Sequence, residues 1–172
     1  MNKKTLSLTI TSLAIVSLAL TGCGSSSSST ASTTAQAAQN PASSALTIEE
    51  AWVKANGTEM TGAFGVLKNS TDQDITVSKA STPSAGMVEL HETVMASDGT
   101  MKMQPKKGGF VIPAKGQLEL KPGGNHIMLM EIAKAINPGD ELGFELTLSN
   151  GQSMSFKAPA KAFSGAIETY AG

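Results

Sequence analysis

Both histidines of this chain, His91 and His126, and six of its nine methionines (Met87, Met95, Met101, Met103, Met128 and Met130) fall in the single stretch 86–130. Imidazole nitrogen and thioether sulfur together make a soft, uncharged donor set, the kind that selects monovalent copper when no thiolate is at hand. Cys23 is the only cysteine, and it sits at the end of an apolar leader. The segment that follows therefore has no disulfide framework, no thiolate nucleophile and no cysteine ligand. Any metal site in it must be built from other groups.

The elements that must position these donors read as short β-strands. In the strand around His91, Val88, Leu90 and Val94 fall on one face while Glu89, His91, Thr93 and Met95 fall on the other. After a Gly-Gly turn, Ile127 and Leu129 point one way and His126, Met128 and Met130 the other. Each histidine thus leaves the aliphatic face and takes methionine with it, which places it on the polar side of its strand. Met101 and Met103 share a face just beyond the Asp98-Gly99 pair, a strong hairpin signal. Asn150-Gly151 gives a second such signal, and Pro/Gly turns recur at 113–116, 122–124 and 138–140. No segment carries long helical periodicity. Strands at this spacing from Leu46 onward predict a Greek-key sandwich or small barrel, with Trp52, the only tryptophan, in its core.

The regions outside that domain are compositional. Asn2-Lys3-Lys4 followed by the apolar run Leu6 to Leu20 predicts an export signal over residues 1–22, too short to span a bilayer comfortably. Leu20-Thr21-Gly22-Cys23 resembles the lipobox of bacterial lipoproteins, which implies cleavage before Cys23 and lipidation of that residue. Residues 23–45, rich in Ser, Ala and Thr, bury too little apolar surface to order and read as a flexible tether. The expected folded domain is 46–158, and 159–172 is weakly patterned and expected to be a loose tail.

Composition also excludes classes. A net charge of −1 and a pI of about 6.1, with scattered lysines, leave no basic stripe for a nucleic acid. A blue-copper electron-transfer centre needs a cysteine beside its histidines, and covalent haem needs C-x-x-C-H; the folded part has neither. No nucleophile elbow or metalloprotease helix occurs, so an enzyme is not expected.

The stretches Val88 to Met95, Met101-Lys102-Met103, Ile112-Pro113-Ala114 and Leu118 to Met130 resemble the PCu(A)C copper chaperone family. The resemblance implies an all-β, cupredoxin-like Greek-key β-sandwich outside the cytoplasmic membrane, in the periplasm or on the outer face of the cell membrane. It implies Cu(I) held by two histidines and two methionines, here His91, Met103, His126 and Met128. It also implies delivery toward a copper-receiving protein, such as the dinuclear centre of cytochrome oxidase subunit II or another copper chaperone. Eleven residues separate His91 from Met103 and twenty-two separate Met103 from His126, each one more than is usual in that family. Met95, Met101 and Met130 accordingly stand as further candidate ligands. The competing expectation is a lipid-anchored β-sandwich that binds a protein or cell-wall partner through a flat methionine patch.

Overall fold

The computed structural model describes residues 45–165 and 169–170. The leader expected over 1–22 and the tether expected over 23–45, Cys23 included and Ala45 excepted, lie outside these residues. Eleven strands follow in order: β1 (Leu46–Lys54), β2 (Thr61–Asn69), β3 (Ile75–Ser81), β4 (Ala85–Met95), β5 (Met101–Pro105), β6 (Phe110–Ile112), β7 (Gln117–Leu120), β8 (His126–Ile132), β9 (Glu141–Leu148), β10 (Ser153–Lys161) and β11 (Thr169–Tyr170). Their hydrogen-bonded order is β11-β5-β4-β8-β2-β1-β10-β9-β3-β6, with β7 added to β2. The path ends on β11 and β6 without closing, so the architecture is the Greek-key sandwich and not the barrel.

Local chemistry explains the strands. β9 reads ELGFELTL and buries every second residue (Leu142, Phe144, Leu146, Leu148), the period-two signature of a strand with one face on a core. It returns into β10 through Asn150-Gly151, with Gly151 at φ 84°, and β4 returns into β5 through Asp98-Gly99, with Gly99 at φ 81°. Both glycines adopt the left-handed backbone that such tight turns require. The two sheets close on a core of Leu46, Val53, Leu67, Val77, Leu90, Phe110, Ile112, Ile127, Leu129 and Leu146, among others. Among the described residues, no helix is long and apolar enough to cross a membrane.

Two expectations are corrected. The domain does not stop at Ala158: β10 runs on to Lys161, because Ala158 and Ala160 are buried and Ala160 pairs in parallel with Val53. Pro159, which suggested a boundary, is tolerated at an exposed position opposite Glu141, and Thr169–Tyr170 pair with Lys102–Met103 of β5. Trp52 is not a core residue. It is half-buried, packed on Phe64 at 4.6 Å and on Phe163 at 5.3 Å between ring centroids, on the far side of its sheet from Val53.

Phe110 is the largest fully buried side chain. Phe110→Ala is expected to cost about 3–5 kcal/mol through lost transfer energy and the cavity left behind. Urea denaturation checks this; a loss under about 1 kcal/mol would mean that the two sheets do not close around that ring.

Candidate metal centre

Strand register builds the site. β4 and β8 are antiparallel neighbours in which Leu90 pairs with Ile127 and His91 pairs with His126. Leu90 and Ile127 belong to the core, so by alternation the two imidazoles stand on the opposite face of the same sheet. On that face β8 adds Met128, opposite Glu89 of β4 and Gly62 of β2. β5 adds Met103, opposite Thr93 of β4. Donors from β4, β5 and β8 are therefore gathered by backbone pairing alone. The two imidazole centroids lie 5.5 Å apart at 67°.

These four side chains are buried: His91 0%, His126 3%, Met128 3% and Met103 7% exposed. The polar side of the strands, where the histidines were expected, is thus a second interior. Its cover comes from far away in sequence. A cavity of about 350 Å³ beside His126 is lined by Met103, Met128, Phe64, Gly62 and the loop that carries Asn56 and Met60. Phe64 sits 6.3 Å from the His126 ring. A Cβ at Gly62 would come within 2.6 Å of the Phe64 ring, so glycine at that position leaves room for the aromatic cover.

Each imidazole is held by a specific partner. His126 Nδ1–H donates to the Gly124 carbonyl at 2.9 Å, which leaves the lone pair on Nε2. That Nε2 is buried and has no hydrogen-bond partner among the described residues. Leaving such a nitrogen unsatisfied costs about 1–3 kcal/mol, which calls for a functional explanation. His91 shares Nε2 with the Glu89 carboxylate at 2.9 Å. A carboxylate in that position orients the ring and raises the donor strength of its other nitrogen. The pKa of His126 is pushed below its ordinary 6.5, first by burial and further by neighbouring His91, against the opposing effect of the Gly124 hydrogen bond.

The remaining candidates separate from this group. Met95 (72% exposed) and Met101 (47% exposed) face each other across the open end of the β4–β5 hairpin. Met101 shares the face of Met103, but two residue pairs further along the hairpin, where it is exposed. Met130 is half-buried opposite exposed Met87, beyond Met128 on β8. Sequence reading missed Met60, Gly62 and Phe64, which carry no local signal of the site. Glu89 was legible as a face-mate of His91, though not as its hydrogen-bond partner.

Among the described residues no cluster of three or more His, Cys, Asp or Glu could hold a metal ion. The soft donors that line the cavity beside His126 are imidazole nitrogen and the thioether sulfurs of Met103, Met128 and Met60. A larger, more open groove of about 660 Å³ lies against Phe144 and Phe156 and is lined by neither histidine nor methionine. Size does not make it the site for a soft ion, because it offers neither imidazole nor thioether.

Residues 46–160 match the family model described as "Putative lipoprotein LpqE-like". Over 172 residues and the full length of both chains, the protein is 39% identical to "Putative lipoprotein Lxx21020" of Leifsonia xyli subsp. xyli. The solution structure of Cu(I)-bound DR1885 from Deinococcus radiodurans is 31% identical, covering 74% of this chain and 87% of that one, with a TM-score of 0.54. The copper-bound PCuAC domain from PmoF2 is 18% identical, covering 69% and 94%, with a TM-score of 0.55, a likeness of fold. The sandwich is thus cupredoxin-like.

A lowered His126 pKa fixes the sign of a pH effect. The unfolded chain takes up this proton near 6.5 and the folded chain only at lower pH. The stability contributed by neutral His126 is therefore complete above about 6.5 and is lost as pH falls from there toward the folded value. In the metal-free protein, an NMR titration of the His126 ring is expected to show a midpoint below 6.5, with the urea midpoint falling over the same window. A ring midpoint at or above 6.5 would contradict its burial.

Proposed function

Because the chain belongs to the LpqE-like, PCuAC-related family, we propose that it is an extracytoplasmic, lipid-anchored copper chaperone, with Cu(I) as its cargo on His91, Met103, His126 and Met128. One observation carries this reading: His126, whose buried Nε2 has no hydrogen-bond partner among the described residues, lines a cavity that Met103 and Met128 also line, with the His91 ring 5.5 Å away. Cu(I) is soft and accepts neutral nitrogen and sulfur donors, so it satisfies that nitrogen without requiring a carboxylate ligand. A His126 ring already neutral at pH 7 need not release a proton to bind. Likeness to Cu(I)-bound DR1885 at 31% identity supports the same cargo. Burial favours Met103 over Met101, Met95 and Met130 as the third ligand.

The rest of the chain fits a carrier more readily than an enzyme. Cys23 would hold the domain at a membrane through an N-terminal lipid, with residues 24–45 as the leash and a relative described as a lipoprotein in support. Thioether ligation suits an oxidising compartment, in which free thiols would be captured as disulfides. The recipient would be a copper-receiving protein such as cytochrome oxidase subunit II or another chaperone. A flat methionine contact patch is the weaker reading, since Met103 and Met128 are buried beside histidine and not spread over a surface.

In competition with a Cu(I) chelator, His126→Ala and Met128→Leu are expected to weaken binding by about 10–100-fold or more. Met103→Leu should behave likewise, while Met101→Leu stays within about threefold of wild type. Equal binding by wild type and the His91→Ala, His126→Ala double variant would overturn the assignment, and the isosteric Met128→Leu keeps the test valid if the double variant folds poorly. Separately, Cys23→Ser is expected to move the protein from the membrane fraction to the aqueous phase on detergent partitioning. Retention in the membrane fraction would remove the lipid anchor.

A further inference from the structure

Met60 is the one methionine that lines the site cavity from outside the 86–130 stretch. It ends the loop from β1 to β2, which is held at three levels. Thr61 Oγ1 donates to the Lys54 carbonyl at 2.6 Å across the base. Gly57 and Ile136 exchange backbone hydrogen bonds at 3.2 and 2.8 Å, anchoring the loop to the segment after β8. Asn56 Nδ2 donates to the Met60 carbonyl at 3.1 Å. The backbone of Met60 is thus fixed beside the cavity, while its side chain remains 48% exposed. The other donors at this cavity, His126, Met103 and Met128, are each at least nine-tenths buried.

That combination answers a problem posed by burial. A Cu(I) ion moves between proteins by ligand exchange, in which an incoming donor attaches before an outgoing one leaves. Donors buried to this degree cannot be reached directly by a donor on another protein. A thioether carried on a backbone fixed at the rim, on a residue that lines the cavity and is also half exposed, is suited to hold the ion between the two states. Resting on the copper assignment above, we infer that Met60 is a relay ligand, a third sulfur donor at the cavity mouth that takes Cu(I) on its way in and out but is not part of the resident set. The transfer is an exchange of neutral ligands: one Cu–S bond forms at Met60 as one bond to a buried donor breaks, with no change in oxidation state and no proton released.

The test is stopped-flow transfer of Cu(I) from the loaded full-length protein to a small chelator, comparing wild type, Met60→Leu and Met128→Leu. Leucine preserves the volume of methionine and removes the sulfur. Met60→Leu is expected to slow transfer about tenfold while equilibrium affinity stays within about threefold of wild type; Met128→Leu should lose affinity itself. An unchanged transfer rate in a fully loaded Met60→Leu variant would overturn the relay and leave the four-ligand site standing. An affinity loss as large as that of Met128→Leu would overturn it differently, by making Met60 a resident ligand. Failure of wild type to load Cu(I) at all would remove the copper assignment, and the relay with it.

Discussion

The pairing of β4 with β8 is the constraint on which the rest depends, because it uses the two faces of one sheet for two purposes. On one face Leu90 and Ile127 are set against each other in the main core, and on the other His91 and His126 are set against each other in the site. Since side chains alternate with a period of two, a slip of one residue would send the histidines into the core and the aliphatic residues into the cavity. Hydrophobic burial, the larger energy, thereby fixes the geometry of the donors, the smaller one. The site needs no disulfide or long loop to assemble, and its donor positions are as firm as the core behind them.

Much of this was legible in the sequence, and the failures have physical causes. Turn chemistry at Asp98-Gly99 and Asn150-Gly151 located both hairpins, and alternation placed His91, His126 and Met128 on faces opposite the aliphatic residues and Met103 on one face with Met101. Alternation cannot say whether a face meets water. Polar neighbours such as Glu89 and Thr93 suggested that it did, yet the cover over this face comes from Phe64 on β2 and from the loop ending at Met60, far from the histidines in sequence. Nor could it separate Met101 from Met103, which share parity and differ only in how far along the hairpin they lie. Trp52 was assigned to the core by residue type alone, whereas it stacks with Phe64 and Phe163 on the site face.

Burial of the site has a cost that the metal-free protein carries. The buried Nε2 of His126, which has no hydrogen-bond partner among the described residues, destabilises the fold by about 1–3 kcal/mol. Any ion that satisfies that nitrogen in the folded state and not in the unfolded chain returns this stability and adds its own binding energy by mass action. The same burial keeps the ring neutral, so its lone pair is available where an exposed histidine would be partly protonated. Destabilising the empty form and preparing it to bind are one physical effect seen from two sides.

Charge explains why such a site would favour a monocation. Taking an ion out of water is costly unless nearby charge compensates it, and the cost rises steeply with ionic charge. The proposed ligands contribute none; the Glu89 carboxylate stands behind His91 at 2.9 Å from Nε2, about one-third exposed, while Glu59 and Lys54, of opposite formal charge, both line the cavity. One such carboxylate, acting through an imidazole, can balance one positive charge. With Glu59 and Lys54 offsetting each other, a dication beside Phe64, Met103 and Met128 keeps an uncompensated unit charge. The soft sulfurs then act in the same direction as the electrostatics, because dications that could tolerate the site's nitrogens gain little from thioether. Selectivity for Cu(I) would thus come from two independent terms, donor softness and charge balance, and only the first of them is visible in the spacing of histidine and methionine along the chain.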